Sequence, residues 1–343
     1  MTSQLDSSKS TLMPDSAKSS LRVFVTGHRG YIGSALFRAM SKFSLINELE
    51  GYDIIDGDDI LDLSSLVSRM KSFQPHVVVH LAALSSVTAC NENWKKSVSY
   101  NAVGTRNVLT AMNDCGCRNI IYASTSSIYG DTSKVPYTED SVVDPCSPYG
   151  LSKLLGEQVI YNYYNSRNNP GNFLIYRMFN VVGTSGYPDI DNVSNPGYDR
   201  LFAALESGHL TIYGNDYPTY DGTCQRDYVS LKDVCSAFLK GIKVVKSNRE
   251  TREIINICTG RPCSVQTIVN TWNSISKHLL SATELQHKCS ASLPEVSISV
   301  GCRRDGDPAN VYGLNTKASR VLNWNPTRKI ENIICDLAHD KKI

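Results

Sequence analysis

Short apolar runs punctuate the first half of the chain, and stretches with helical spacing lie between them. Leu21-Arg22-Val23-Phe24-Val25-Thr26 reads as a buried strand, followed by a glycine turn and a helix to about Lys42. Leu49-Glu50-Gly51-Tyr52 is an unusually short second strand, and a helix runs from near Leu63 to about Phe73. His76-Val77-Val78-Val79-His80-Leu81-Ala82-Ala83 and Asn119-Ile120-Ile121-Tyr122-Ala123 are further buried strands, with a helix over 98–113 between them and another over 149–167. Strands alternating with helices through residue 182 predict an α/β fold with a parallel sheet. Residues 183–225 are instead rich in Gly, Pro, Asn and Asp, as a binding loop region would be. Residues 1–20, rich in Ser and Lys with Asp6 and Asp15 interspersed, lack the apolar core of a signal peptide and are expected to form a disordered tail.

Composition narrows the partners. A chain of 343 residues, 41% hydrophobic and 20% charged, is long enough for two lobes that share an interface. A net charge of +2 offers no basic field for nucleic acid or an anionic membrane, and no apolar run approaches the roughly 18 residues of a membrane span. The expected partner is a small molecule. The 11 cysteines show no Cys-x-x-Cys pairs or His clusters, so they indicate neither a disulfide framework nor a metal site and read as small buried hydrophobes in a reducing cytoplasm. Asn192-Val193-Ser194 reads as a chance match to a glycosylation acceptor.

The chemistry begins at Gly27-His28-Arg29-Gly30-Tyr31-Ile32-Gly33, directly after the first strand. Glycines between a strand and a helix permit a tight turn and close approach of backbone to a pyrophosphate, which the positive end of the helix attracts. Asp53 stands about 20 positions further on, where a dinucleotide site needs an acid for the adenosine ribose, with Asp56 the nearest competitor. Asp58-Asp59-Ile60 suits a loop over the adenine, and Asp59 is alternatively a cap for the next helix. Leu81, Ala82 and Ala83 would lie beside the cofactor phosphates, and Asn101 sits in the first turns of the helix that follows. Ser124-Thr125-Ser126-Ser127 clusters hydroxyls just beyond a strand end, where parallel sheets bind ligands. In Ser147-Pro148-Tyr149-Gly150-Leu151-Ser152-Lys153, a Tyr and a Lys four residues apart share one helix face. A fixed ammonium beside a phenol favours the phenolate, which makes a tuned acid/base.

Three further strings carry a resemblance. Leu210 to Tyr228, Arg177-Met178-Phe179-Asn180-Val181-Val182-Gly183, and Arg303-Arg304-Asp305-Gly306-Asp307 before Leu322-Asn323-Trp324 resemble the extended short-chain dehydrogenase/reductases, most closely the UDP-glucose 4-epimerases. The likeness covers nearly everything after residue 20. It implies a Rossmann-type doubly wound parallel sheet over 21–182, with 226–260 returning to it. A smaller mixed α/β carboxyl-terminal lobe, 183–225 and 261–343, would close over a UDP-sugar. It further implies tightly bound NAD, a homodimer formed by the helices over 98–113 and 149–167, and epimerisation through a transient 4-ketopyranose. By this resemblance Tyr149, Lys153 and Thr125 are catalytic. Arg226 and Arg304 clamp the pyrophosphate, Asn180 contacts phosphate or sugar, Asp307 the uridine ribose and Tyr213 the uracil, while Val311, or Tyr312 on a one-residue shift of the loop, walls the sugar pocket. Gly27-His28-Arg29-Gly30 also resembles the GDP-fucose synthases, whose related Arg faces the extra phosphate of NADP; Asp53 argues for NAD.

Overall fold

The computed structural model describes residues 21–131, 134–165, 169–186, 200–247, 249–286, 293–304 and 306–340. The expected tail over 1–20 and the Asn192 triplet lie outside the described residues. Strands β1 (Arg22–Thr26), β2 (Glu48–Tyr52), β3 (Val77–His80), β4 (Asn119–Thr125) and β5 (Asn172–Met178) pair in parallel. After β6 (Asn180–Val182), β7 (His209–Tyr213) and β8 (Gln225–Ser230), the chain returns to add β9 (Arg252–Ile257), giving the order β2-β1-β3-β4-β5-β9. This is the doubly wound sheet that the strand and helix alternation predicted.

Period-two alternation explains why each strand is an apolar run: both faces are covered. Val23, Val25, Val77, Val79, Ile121 and Leu174 pack under α1 (Tyr31–Ser41) and, later in the chain, the helix Leu231–Lys246. Their neighbours Phe24, Val78, Ile120 and Phe173 face the other way, onto α2 (Leu63–Phe73) and the helices that follow it. Of those, α5 (Gly104–Cys115) and α6 (Pro148–Asn165) cover the sheet, while the short α3 (Val87–Glu92) and α4 (Trp94–Val98) pack against α6. Helix α4 runs into α5 through a π-helical turn over Ser99–Val103, an irregularity that spacing alone did not predict. The cap of α2 is Asp62, whose Oδ1 accepts from the amides of Ser64 and Ser65, both at 3.1 Å, and not Asp59.

The second lobe has its own core. Strand β8 is flanked by β6, by antiparallel β10 (Pro262–Ser264) and by β12 (Asn310–Val311), while β7 pairs with β11 (Ser297–Gly301). Phe202 of α7 (Arg200–Glu206) and Trp272 of α9 (Val265–Gln286) are fully buried there, beside Ile334 of α11 (Ile330–Asp340). Of the segment expected to return to the first lobe, α8 (Leu231–Lys246) and β9 do so, and α10 (Thr316–Leu322) joins them against the large sheet. The large sheet's β5 ends at Met178, so β6 lies in the small sheet although its residues precede the expected boundary at 182.

Candidate active site

Strand order reverses between β1 and β3, with β2 on one side of β1 and every later strand on the other. Ligands of such sheets bind at the carboxyl ends of the strands at that switch point. The glycine turn lies there. Gly27, at φ +75°, packs against the chain leaving β3: an added Cβ would sit 2.6 Å from the amide of Ala82. A Cβ at Gly33 would overlap the carbonyl oxygen of Gly27. Helix α1 starts after Gly30 with Tyr31 and Ile32, and its first turn has neither a side-chain cap nor an acidic residue. Strand β3 stops at His80, three residues short of the expected end, which leaves Leu81, Ala82 and Ala83 as a connection beside the turn.

The carboxylates around this turn have different tasks. Asp53, buried at the end of β2, accepts from the amide of Arg29 at 2.8 Å and from that of Ile55 at 3.0 Å. Asp56 instead lies 3.2 Å from His28 Nε2 and 3.7 Å from Arg29 Nε. Asp59 accepts from the amide of Leu61 at 2.9 Å and the hydroxyl of Tyr100 at 3.2 Å. Ile60 turns into the core against Gly104, so its side chain packs helix α5 instead of closing over a ligand. Asn101, in the π turn, is a brace: its amide donates to the Leu84 carbonyl and the Ser152 hydroxyl, and its oxygen accepts from the Leu84 amide at 2.7 Å.

Thr125, Tyr149 and Lys153 converge from two elements. Thr125 ends β4, where its hydroxyl accepts from the Ser127 amide and donates to the Ser127 hydroxyl, both at 3.1 Å, with Tyr149 close enough to feel it. Helix α6 carries Tyr149 in its first turn and Lys153 one turn later, and Gly156 lets it press against Tyr122 and the backbone of Asn101. Lys153 is buried, its ammonium 4.1 Å from the centre of the Tyr122 ring.

A second cluster lies in the smaller lobe. Arg226 of β8 pairs with Asp307 and also donates to the carbonyl of Gln225 at 2.7 Å. Val311 is in register with Arg226 and packs beside the cluster of Ile128, Tyr129 and Phe179. The Arg304 guanidinium stacks on the Tyr213 ring at 3.9 Å. Asn180 opens β6, in register with Tyr228 of β8.

Residues 23–258, well over half of the chain, match the NAD dependent epimerase/dehydratase family. The chain belongs to that family. UDP-glucose 4-epimerase 2 of Arabidopsis thaliana is 30% identical over 81% of this chain and 77% of its own length. UDP-glucose 4-epimerase 2 of Oryza sativa subsp. japonica is 31% identical over 92% of this chain and 80% of its own. The crystal structure of UDP-glucose 4-epimerase from Brucella ovis in complex with NAD superposes with a TM-score of 0.79 at 26% identity, covering 92% of this chain and 96% of that one.

The cofactor for which the epimerase/dehydratase family is named is the one expected from the glycine turn and Asp53. The turn fits it: a cradle closed to any Cβ at Gly27 and Gly33 opens onto an uncapped helix start. Arg29, the residue that raised NADP, is set against Asp56. Burial pushes the Tyr149 phenol up to about 12, opposed by the Thr125 hydrogen bond, and pushes Lys153 down to about 7, opposed by the charge of Glu157. Within the protein, Thr125 rather than Lys153 is the group that favours the phenolate.

Sequence reasoning missed the polar groups beneath the pair. Glu157 and Arg177 are both buried and ion-paired at 2.8 Å, and Glu157 also accepts from Ser124. The available signal was helical spacing, since Glu157 follows Lys153 by one turn. Lysine in the unfolded chain titrates near 10.5, so between about pH 7 and 10.5 the folded state binds fewer protons at this position, and Lys153 makes stability rise with pH across that window. Urea denaturation of the parent and of Lys153→Met across those pH values should show a smaller rise in the variant; identical slopes would mean that Lys153 titrates normally when folded.

Proposed function

We propose that the chain is a UDP-hexose 4-epimerase that interconverts UDP-glucose and UDP-galactose with tightly bound NAD. What supports this reading is a buried Lys153 one helical turn from Tyr149, with Thr125 near the phenol, in a chain whose glycine turn packs against the exit of β3. When bound, NAD supplies a reversible acceptor for the hydride at C4 of the sugar. Tyr149, as phenolate, takes the proton of the 4-hydroxyl and later returns it, while Thr125 bridges the sugar oxygen and the phenol. Lys153 would hold the nicotinamide ribose. The 4-ketopyranose turns over about its pyrophosphate linkage and is reduced on the opposite face, so no net redox occurs.

Arg226 and Arg304 would grip the pyrophosphate with paired N–H donors. Both are already oriented, one by Asp307 and the other by Tyr213. Asp307 would share the uridine ribose, Tyr213 the uracil, and Asn180 the phosphate or sugar. A homodimer is part of the same reading, supported by apolar side chains exposed on neighbouring helical segments: Trp94 of α4, Val103 of the π turn, and Leu151 and Leu155 one turn apart on α6. No described helix is long and apolar enough to cross a membrane, and the cytoplasm is the proposed setting.

Two results test the assignment. Tyr149→Phe keeps the ring and deletes the proton-transfer group, so turnover of UDP-galactose should fall by about 10²-fold or more while NAD still co-purifies, as identified by mass. Turnover within a few-fold of the parent would remove Tyr149 as the base. The second result concerns the sugar. Val311 leaves space that a Tyr ring would fill, so UDP-N-acetylglucosamine and UDP-N-acetylgalactosamine should be interconverted as well. Steady-state assays on both sugar pairs should show Val311→Tyr losing the acetamido pair; an unchanged preference would move the pocket wall elsewhere.

A further inference from the structure

Lys153 is useful only while charged, and its surroundings work against the charge. Lys153 is 2% exposed, and burial of an isolated cation drives it towards the neutral amine. Most groups that face it cannot help electrostatically at neutral pH. From β4, Tyr122 presents a ring face and a hydroxyl held neutral by burial. On β3, His80 is also held neutral, down at about 3, by burial and by Lys153 itself. Burial raises the Cys90 thiol of α3 above its ordinary value, so it stays protonated, and Tyr149 on the same helix as Lys153 is a neutral phenol. The remaining group is Glu157.

Glu157 is 1% exposed and follows Lys153 by one helical turn. Its carboxylate accepts from Arg177 Nη2 at 2.8 Å, from Arg177 Nε at 3.2 and 3.3 Å, and from the hydroxyl of Ser124. Arg177 is itself fixed, donating to the Tyr129 hydroxyl at 3.2 Å and to the Glu139 carbonyl at 3.3 Å. Tyr129 in turn donates to Asn256 of β9 at 2.6 Å. The carboxylate is thereby tied to the strand end that carries Thr125 and to the helix that carries Tyr149 and Lys153.

We propose that Glu157 is a positioning residue for the Tyr149–Lys153 pair: its carboxylate, locked by Arg177 and Ser124 one turn beyond Lys153, keeps the buried lysine protonated. The inference rests on the reading of Tyr149 and Lys153 as the acid/base pair, and it makes Tyr-x-x-x-Lys-x-x-x-Glu a three-residue unit along α6. Arg177 does not act on Lys153 directly; its task is to hold the carboxylate in place.

The test follows the Lys153 side chain in holoenzyme labelled with 13Cε-lysine, its resonance assigned by its loss in Lys153→Met. In Glu157→Gln the midpoint of its titration should fall by about one pH unit or more relative to the parent. Because that change strands a buried Arg177, Glu157→Gln/Arg177→Met is measured beside it; replacing both partners restores packing without restoring the carboxylate. The double variant should recover thermal stability and keep the lowered midpoint. A midpoint equal to the parent's in the folded single variant, or one that returns to the parent's value in the double variant, overturns the proposal and leaves the pair a purely structural bridge. If the parent failed to epimerise UDP-hexoses the functional reading would fall, but the Lys153 midpoint would still decide the role of Glu157.

Discussion

A lysine amine buried against a tyrosine ring is the constraint to which the rest of the site answers. Taking Lys153 out of water is unfavourable for its charge, and the fold offsets this with a ring face at 4.1 Å and a carboxylate on the next turn. The carboxylate would itself be intolerable there without Arg177, and Arg177 without Tyr129 and the Glu139 carbonyl. Each buried ion thus requires the next. The chain of partners runs from α6 through β4 and β5 to β9, so the packing of the sheet and the charge of the buried lysine are one problem.

Cofactor recognition is arranged by the same economy of backbone. Removing side chains at Gly27 and Gly33 brings β1, the start of α1 and the exit of β3 into contact, and Asp53 fastens that turn by accepting from the Arg29 amide. Asp56 meanwhile faces Arg29, the cation that an additional phosphate on the ribose would need. A negatively charged floor with its nearest arginine already paired favours a free ribose hydroxyl over a phosphate.

Much of this was legible in the sequence wherever a local rule carried it. Buried strands on both sides of the sheet gave uninterrupted apolar runs, and the turn after β1 needed glycines for a reason visible in one dimension. The tyrosine and lysine shared a helix face by spacing alone. What escaped was decided by tertiary partners. Ile60 lies in a polar Asp-rich loop yet points into the core, because Gly104 leaves a space for it. Asn101 is placed by a π turn that no local spacing announces, and it braces Leu84 and Ser152. Strand β6 pairs with β8 because β5 has already ended at Met178, a boundary that an apolar run through Val182 conceals. Glu157 and Arg177, 20 positions apart, meet only once α6 lies on β5.

The central claim is that Tyr149, aided by Thr125 and Lys153, would take a proton from the sugar hydroxyl and return it, while bound NAD would supply the acceptor and donor for the C4 hydride. Nuclear magnetic resonance of the product from UDP-glucose deuterated at C4, incubated in ordinary water without added cofactor, tests it most directly. The account predicts UDP-galactose with deuterium retained at C4, because the same hydride is removed and replaced. Loss of the label to solvent, or a requirement for stoichiometric added NADPH, would contradict it.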